Sequence, residues 1–312
     1  MTFEHLNELG SKREPFLFIC DFKAQNLEVI LLKDLESADV EFCIDENYET
    51  KEHEHRLKKT PKSFAKYKEK FDFVIEKIKC GETYLLNLTQ PTKIESALTL
   101  KEIYKSANAH YKLRFKDEFV CFSPEKFIQL KDDKIHTYPM KGTIDASLPH
   151  AEEEILKNEK EMAEHIMVVD LLRNDLSIVA TKVKVERFRY VQTIEAGEKK
   201  LLQVSSHISG YIGDSWHVEI GTILKSLLPA GSISGAPKKS TLKIIEEVEG
   251  YERGYFSGVF GVYDGKTLDS GVMIRFMEKT QNGYIYKSGG GITLDSDAFL
   301  EYSELQDKIY LP

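Results

Sequence analysis

What most constrains this chain is the order in which its two hydrophobic periods occur: strand-like runs follow one another directly, and helical runs stand apart from them. Residues 15–19, 27–32 and 40–44 read as successive strands, because β-branched and aromatic side chains cluster there between polar breaks. A helix is predicted over 63–79, where Phe64, Tyr67, Phe71, Val74 and Ile78 recur at helical spacing. Gly81 follows as its stop. Residues 84–89 return to strand character and 100–109 read as helix. Residues 119–122, 127–130 and 135–138 read as three consecutive strands. One long helix is expected over 151–173, acidic at its start as the helix dipole favours. Strands over 183–188 and 204–212 follow, then a helix over 215–228. A tight loop over 229–238 leads into a helix over 239–249, with Pro237 where a first-turn proline is tolerated. Four strand-like segments and a helix over 298–309 close the chain. Parallel sheets need a crossover, usually a helix, between paired strands, and no such alternation is present. The expectation is an α+β fold, with large, mostly antiparallel sheets packed as a sandwich and helices on the outside.

With 312 residues, 41% of them hydrophobic, the chain can bury a sizeable core. It reads as one domain over 1–312, a short strand-rich part (1–60) followed by a core (61–312). The net charge of -8, with no overriding Lys/Arg cluster, argues against a nucleic-acid partner. The charged run 51–62 reads as a solvated connection. Cys20, Cys43, Cys80 and Cys121 are scattered without a C-x-x-C pair and are expected to be reduced. The first 15 residues lack the apolar run of a secretory signal, and no run is long enough to span a bilayer. A soluble, cytoplasmic protein is expected.

Several residues could carry chemistry. Lys141 follows a strand ending in Pro139 and precedes Gly142, which allows unusual backbone angles. A lysine there is either a solvated surface charge or a cleft amine; burial would lower its pKa and expose a nucleophile. Glu161 and Glu164 stand three apart on one predicted helix, and Glu301 and Glu304 three apart on another, each pair on one helical face. They read either as solvated faces or, if the helices meet, as an all-oxygen site for Mg²⁺. Gly289-Gly290-Gly291 ahead of a strand could let backbone N–H groups approach an anion, or form a plain turn. Arg275 interrupts an apolar strand, so it needs a carboxylate partner, either a ligand or an internal one. No H-E-x-x-H, Walker A, Rossmann glycine pattern or nucleophile elbow is present.

In order along the chain, these blocks resemble the chorismate-utilising enzymes. They are Gly81 to Thr89, Ser123-Pro124-Glu125, Pro139-Met140-Lys141-Gly142-Thr143, Ala163-Glu164-His165 leading to Asp170 through Asp175, Pro229 to Lys238, Arg275, Gly289 to Ile292, and Glu301-Tyr302-Ser303-Glu304 with Lys308. The resemblance runs from about Phe64 to Lys308 and implies the sandwich fold of that family. A lysine at position 141 resembles the aminodeoxychorismate synthases, where the anthranilate synthases carry alanine. By that resemblance Lys141 adds to C2 of chorismate as the C4 hydroxyl leaves, with Glu125 as general acid. Ammonia then attacks C4 and expels the lysine from C2 to give 4-amino-4-deoxychorismate, a precursor of p-aminobenzoate and folate. The resemblance further implies Mg²⁺ held by Glu161, Glu164, Glu301 and Glu304. Substrate contacts would come from Arg275, Lys308, Ser234, Gly235 and the backbone of Gly289, Gly290 and Gly291, and ammonia from a separate glutaminase subunit. The sequence departs from the family pattern at Ile144-Asp145-Ala146, at Leu176 to Val179, at Gln203 (usually an active-site histidine) and at Val262 (usually a substrate-contacting tyrosine). Rival readings are an anthranilate, isochorismate or salicylate synthase, or a non-catalytic chorismate-binding subunit.

Overall fold

The computed structural model describes residues 1–44, 57–196 and 199–312. Two antiparallel sheets face each other. The first runs, in hydrogen-bonded order, Met140–Asp145, Lys199–Tyr211, Lys134–Thr137, Lys126–Lys131, Leu268–Val272, Val259–Tyr263, Phe16–Cys20, Leu27–Leu31. The strand Thr181–Ala196 adds to it by pairing with Lys199–Tyr211. The second runs Gly235–Ala236, Leu85–Glu95, Gly283–Ile292, Phe276–Thr280, Phe119–Ser123, Tyr111–Phe115, Val40–Ile44. The expected sandwich of antiparallel sheets is what the chain forms.

Burial explains the layering. Phe16, Phe18 and Cys20 belong to one buried cluster, and Leu17 and Ile19 between them belong to another. A strand covered on both faces needs an unbroken apolar run, which is how that segment reads. The second cluster joins Leu17 and Ile19 to Tyr111, Leu113, Phe119 and Cys121, so it fills the space between the sheets. Outside the first sheet lie Leu6, Trp216, Ile220 and Leu224 from helices. Outside the second lie Leu100 and Ile103, on a helix opened by a Thr99–Glu102 capping box.

Several expectations are corrected. The predicted helix over 151–173 is two helices, Ala151–Lys157 and Glu159–Leu176. The break is at Asn158, whose extended backbone ends the first helix and whose side chain accepts the Glu161 N–H to cap the second. The helix over 215–228 begins as a 3₁₀ turn, Trp216–Glu219, before Ile220–Leu227. Pro237 is the N-cap of Lys238–Glu249 rather than inside its first turn. Of the charged run 51–62, residues 51–56 lie outside the described residues. Lys58–Thr60 is solvated as expected, but forms an edge strand on Leu85–Glu95 rather than a plain connection. The helix Phe3–Ser11 and the strand Tyr111–Phe115 are additions to the elements read from sequence. Cys20, Cys43, Cys80 and Cys121 are all free thiols. No helix among the described residues is long and apolar enough to cross a membrane.

Candidate active site

A cleft of about 190 Å³ opens where the first sheet's edge, the second sheet's glycine-bearing strand and two helices meet. It continues into an inner chamber of about 110 Å³, with Asn87, Glu125, Ser232 and Lys308 lining both.

Lys141 reaches the cleft through a β-bulge. Met140 pairs with Ser205 and Thr143 with Gln203, so three steps on one strand oppose two on the other. A bulge re-aims the side chain at that point, and Gly142 allows it by taking φ +85°. A Cβ on Gly142 would also lie 3.2 Å from Glu161 Oε2. Lys141 Nζ is 2.7 Å from Glu164 Oε2. The expected fall in its pKa is overturned. Burial does pull the ammonium down, but Glu164, with Glu161 and Glu304 behind it, outweighs burial and holds it above the ordinary lysine range.

The helix Glu159–Leu176 carries two stripes. His165, Val169, Leu172 and Leu176 are buried, while Glu164, Met167 and Val168 line the cleft, with Leu172 reaching it from the edge. His165 is locked by a 2.7 Å bond between its Nε2 and Ser206 Oγ, and Ser206 N donates to the Pro139 carbonyl at 2.9 Å. This ties the acidic helix to the bulged strand. Burial, then Arg189 and Lys141, lower the His165 pKa to about 4.

Opposite stands the last helix, Ala298–Asp307, started by Asp297, which accepts the Phe299 and Leu300 N–H groups. Glu301 accepts from Ser296 Oγ at 2.9 Å, and Glu304 pairs with Lys308 at 2.7 Å. Lys308 also donates to the Gly289 carbonyl. The glycines lie inside the strand Gly283–Ile292, paired with Asn87, Leu88 and Thr89, rather than ahead of a strand. Pairing to Phe276–Thr280 stops at Lys287, leaving the glycine segment with no sheet partner on that side among the described residues. A Cβ on Gly290 would lie 3.1 Å from Glu301 Oε2, so glycine leaves space for the carboxylate.

Glu125 and Arg275 both sit where the chain crosses between sheets: after Phe119–Ser123 and before Phe276–Thr280. Arg275 is therefore not in a strand as expected, but at a bend with φ +52°. The two crossings touch, since Val272 N donates to the Glu125 carbonyl. Glu125 accepts a short hydrogen bond from Ser232 Oγ. Burial raises Glu125 above the usual carboxylate range; Ser232, Arg275 and Lys308 offset part of that. Arg275 lines the inner chamber, with its Nε buried and without a hydrogen-bond partner among the described residues. Burial works against its charge, and Tyr310, Tyr286 and Glu125 outweigh it to hold the pKa raised.

One expected contact, and two positions where the sequence departs from the family pattern, fall away from the cleft. Ser234 is buried and donates to the Ala230 and Gly231 carbonyls of its own turn; Ser232 faces Glu125 instead, while Gly235 does line the cleft. Val262 packs into the core between the sheets. Gln203 is opposite Thr143, its Oε1 buried without a partner. Asn87, Ser232, Ser257 and Tyr138 are lining residues the sequence reading passed over. The alternation of Ser232 and Ser234 in one loop was the available signal for Ser232.

For a divalent cation, the donors fit in kind. The four glutamates offer oxygen alone, and Glu161 Oε2 is buried with no hydrogen-bond partner among the described residues. Lys141 supplies the positive charge among them. Among the described residues, no three such side chains close into a ready ligand shell.

A "PabA-like protein" of Haemophilus influenzae is 45% identical over 99% of this chain and 95% of its own length. Aminodeoxychorismate synthase component 1 of Salmonella typhimurium is 33% identical over 78% of this chain, which spans 56% of that relative. Anthranilate synthase component I of Streptococcus pneumoniae superposes with a TM-score of 0.68 at 27% identity, over 81% of this chain and 58% of that one. The model of the chorismate binding enzyme family matches residues 12–311, and the chain belongs to that family.

Proposed function

We propose that the protein aminates chorismate at C4 to 4-amino-4-deoxychorismate, with ammonia from a separate glutaminase. The observation that carries this reading is the cleft shared by Lys141, set by its bulge beside Glu164, and Glu125, held toward its protonated form. Lys141 passes its proton to Glu164 and adds through Nζ to C2 as the C1–C2 and C5–C6 double bonds shift to C1–C6 and C4–C5 and the C4 hydroxyl leaves. Glu125 gives that hydroxyl its proton, so water departs. Ammonia then attacks C4, the two double bonds return to C5–C6 and C1–C2, and the C2–Nζ bond breaks to release the Lys141 amine. Dividing one displacement into two is covalent catalysis, and Lys141 on C2 directs nitrogen to C4. The Salmonella relative's name supports this reading. Lys308, Arg275 and the open glycine edge suit a dianion's second carboxylate. Mg²⁺, held by Glu161, Glu164, Glu301 and Glu304, would supply countercharge to the first carboxylate.

The test is product analysis after incubation with chorismate, ammonium and Mg²⁺. The reading expects 4-amino-4-deoxychorismate, with turnover lost on adding a chelator and restored by Mg²⁺. Anthranilate with release of pyruvate, or isochorismate, would overturn it.

A further inference from the structure

Beside Lys141 the cleft wall holds a stack that the proposed chemistry does not use. Tyr138 stands directly across from His207, since Thr137 pairs with Ile208 and Met140 with Ser205 in one continuous register. Their rings are 4.7 Å apart and 9° from parallel. His207 Nε2 is in turn 3.0 Å from His136 Nδ1, two residues before Tyr138 and therefore on the same face of the strand. The Lys126 ammonium lies 5.4 Å from the centre of the Tyr138 ring and is held by Asp269 at 2.9 Å. Asp269 is fixed in its turn by the Tyr111 hydroxyl at 2.6 Å and by Gln129 at 3.1 Å. Burial holds both imidazoles below the ordinary histidine range, so the pair is uncharged at neutral pH and shares one N–H.

Tyr138 is the only aromatic side chain among the described residues lining the cleft, and it precedes Lys141 by three positions. Attack by Lys141 requires the diene face of the substrate's ring to lie across Nζ. A ring already locked by stacking loses little freedom when it binds, so its contact is retained as affinity. We propose that Tyr138 is the aromatic wall against which the substrate ring rests, and that His207 and His136 are positioning residues that fix its orientation. This rests on the chorismate reading above.

The test compares chorismate binding by calorimetry, and KM with kcat, across wild type, Tyr138→Phe, Tyr138→Ala, His207→Phe and His207→Ala, all with Mg²⁺. An aromatic contact of ordinary strength predicts about a fivefold loss of affinity in Tyr138→Ala. It should appear in KM more than in kcat. His207→Ala should share the loss, while the two phenylalanine variants stay within about twofold of wild type. Unchanged binding by either alanine variant, or phenylalanine variants as weak as alanine, would overturn the proposal. Failure of the wild type itself to bind chorismate would instead remove the functional reading, and this inference with it.

Discussion

At the residue scale, two groups in one cleft are held in protonation states set by their surroundings. Glu125 is raised by burial, and Lys141 is raised because carboxylates overcome burial. For a general acid the raised value extends the working range upward, and activity should fall as pH climbs through it. The same shift bears on stability. A carboxyl whose folded pKa exceeds its unfolded value stabilises fully below the unfolded value and loses that contribution as pH rises through the folded one. Glu125→Gln keeps a neutral partner for Ser232 at every pH. It should therefore unfold at about the wild-type temperature near about pH 4 and at a higher temperature near about pH 8. Its turnover should drop roughly 10² to 10⁴-fold. Thermal melts at the two pH values check the first, and steady-state rates the second. A lower melting temperature at the higher pH would contradict the assigned shift.

At the element scale, the bulge at Lys141-Gly142 is what turns an edge strand into part of a cleft. Gly142→Ala places a Cβ at φ +85°, 3.2 Å from Glu161 Oε2. The left-handed strain alone costs about 1–2 kcal/mol, to be read from urea unfolding. Turnover should fall further than stability does, because relief of the strain re-aims Lys141. The bulge was half legible: Gly142 after Lys141 signals unusual backbone, but an added residue is visible only against the partner strand. Strands and helices with strong periodicity, such as Phe64–Lys79 and Phe119–Ser123, emerge where expected. Asn158 breaks a helix that periodicity alone would continue, because capping depends on a side-chain bond that 3.6-residue spacing does not register. Arg275 and the three glycines were recognised as candidates but set in the wrong local frame: a crossing between sheets looks like a strand in sequence, and three glycines inside a strand look like a turn ahead of one. Ser234 was chosen over Ser232 because both are small polar residues in one loop, and only the fold decides which faces Glu125. The stack of Tyr138 on His207 joins residues far apart in sequence and was not legible at all.

At the scale of the whole molecule, the cleft depends on both sheets keeping their relation to the helices around it. A buried ion pair contributes to this. Arg253 bonds Glu249 at 2.6 Å, and its remaining donors take the Asn87 and Ile233 carbonyls. Glu249 also accepts from Thr89 N and Oγ1. One guanidinium thus links a helix end, a cleft-lining strand and the loop that carries Ser232. Arg253→Met leaves Glu249 buried without its partner and should cost about 3–5 kcal/mol. Chemical denaturation measures that cost, and a change under about 1 kcal/mol would place the joint elsewhere. The central claim remains the covalent role of one amine. Intact-mass and peptide mass spectrometry should follow incubation of the full chain with chorismate and Mg²⁺ in the absence of ammonia. A mass increase equal to chorismate less water, located on Lys141 and lost in Lys141→Ala, is the result expected. An unmodified wild-type protein that nonetheless converts chorismate to aminodeoxychorismate when ammonium is added, or a Lys141→Ala variant with full turnover, would contradict it.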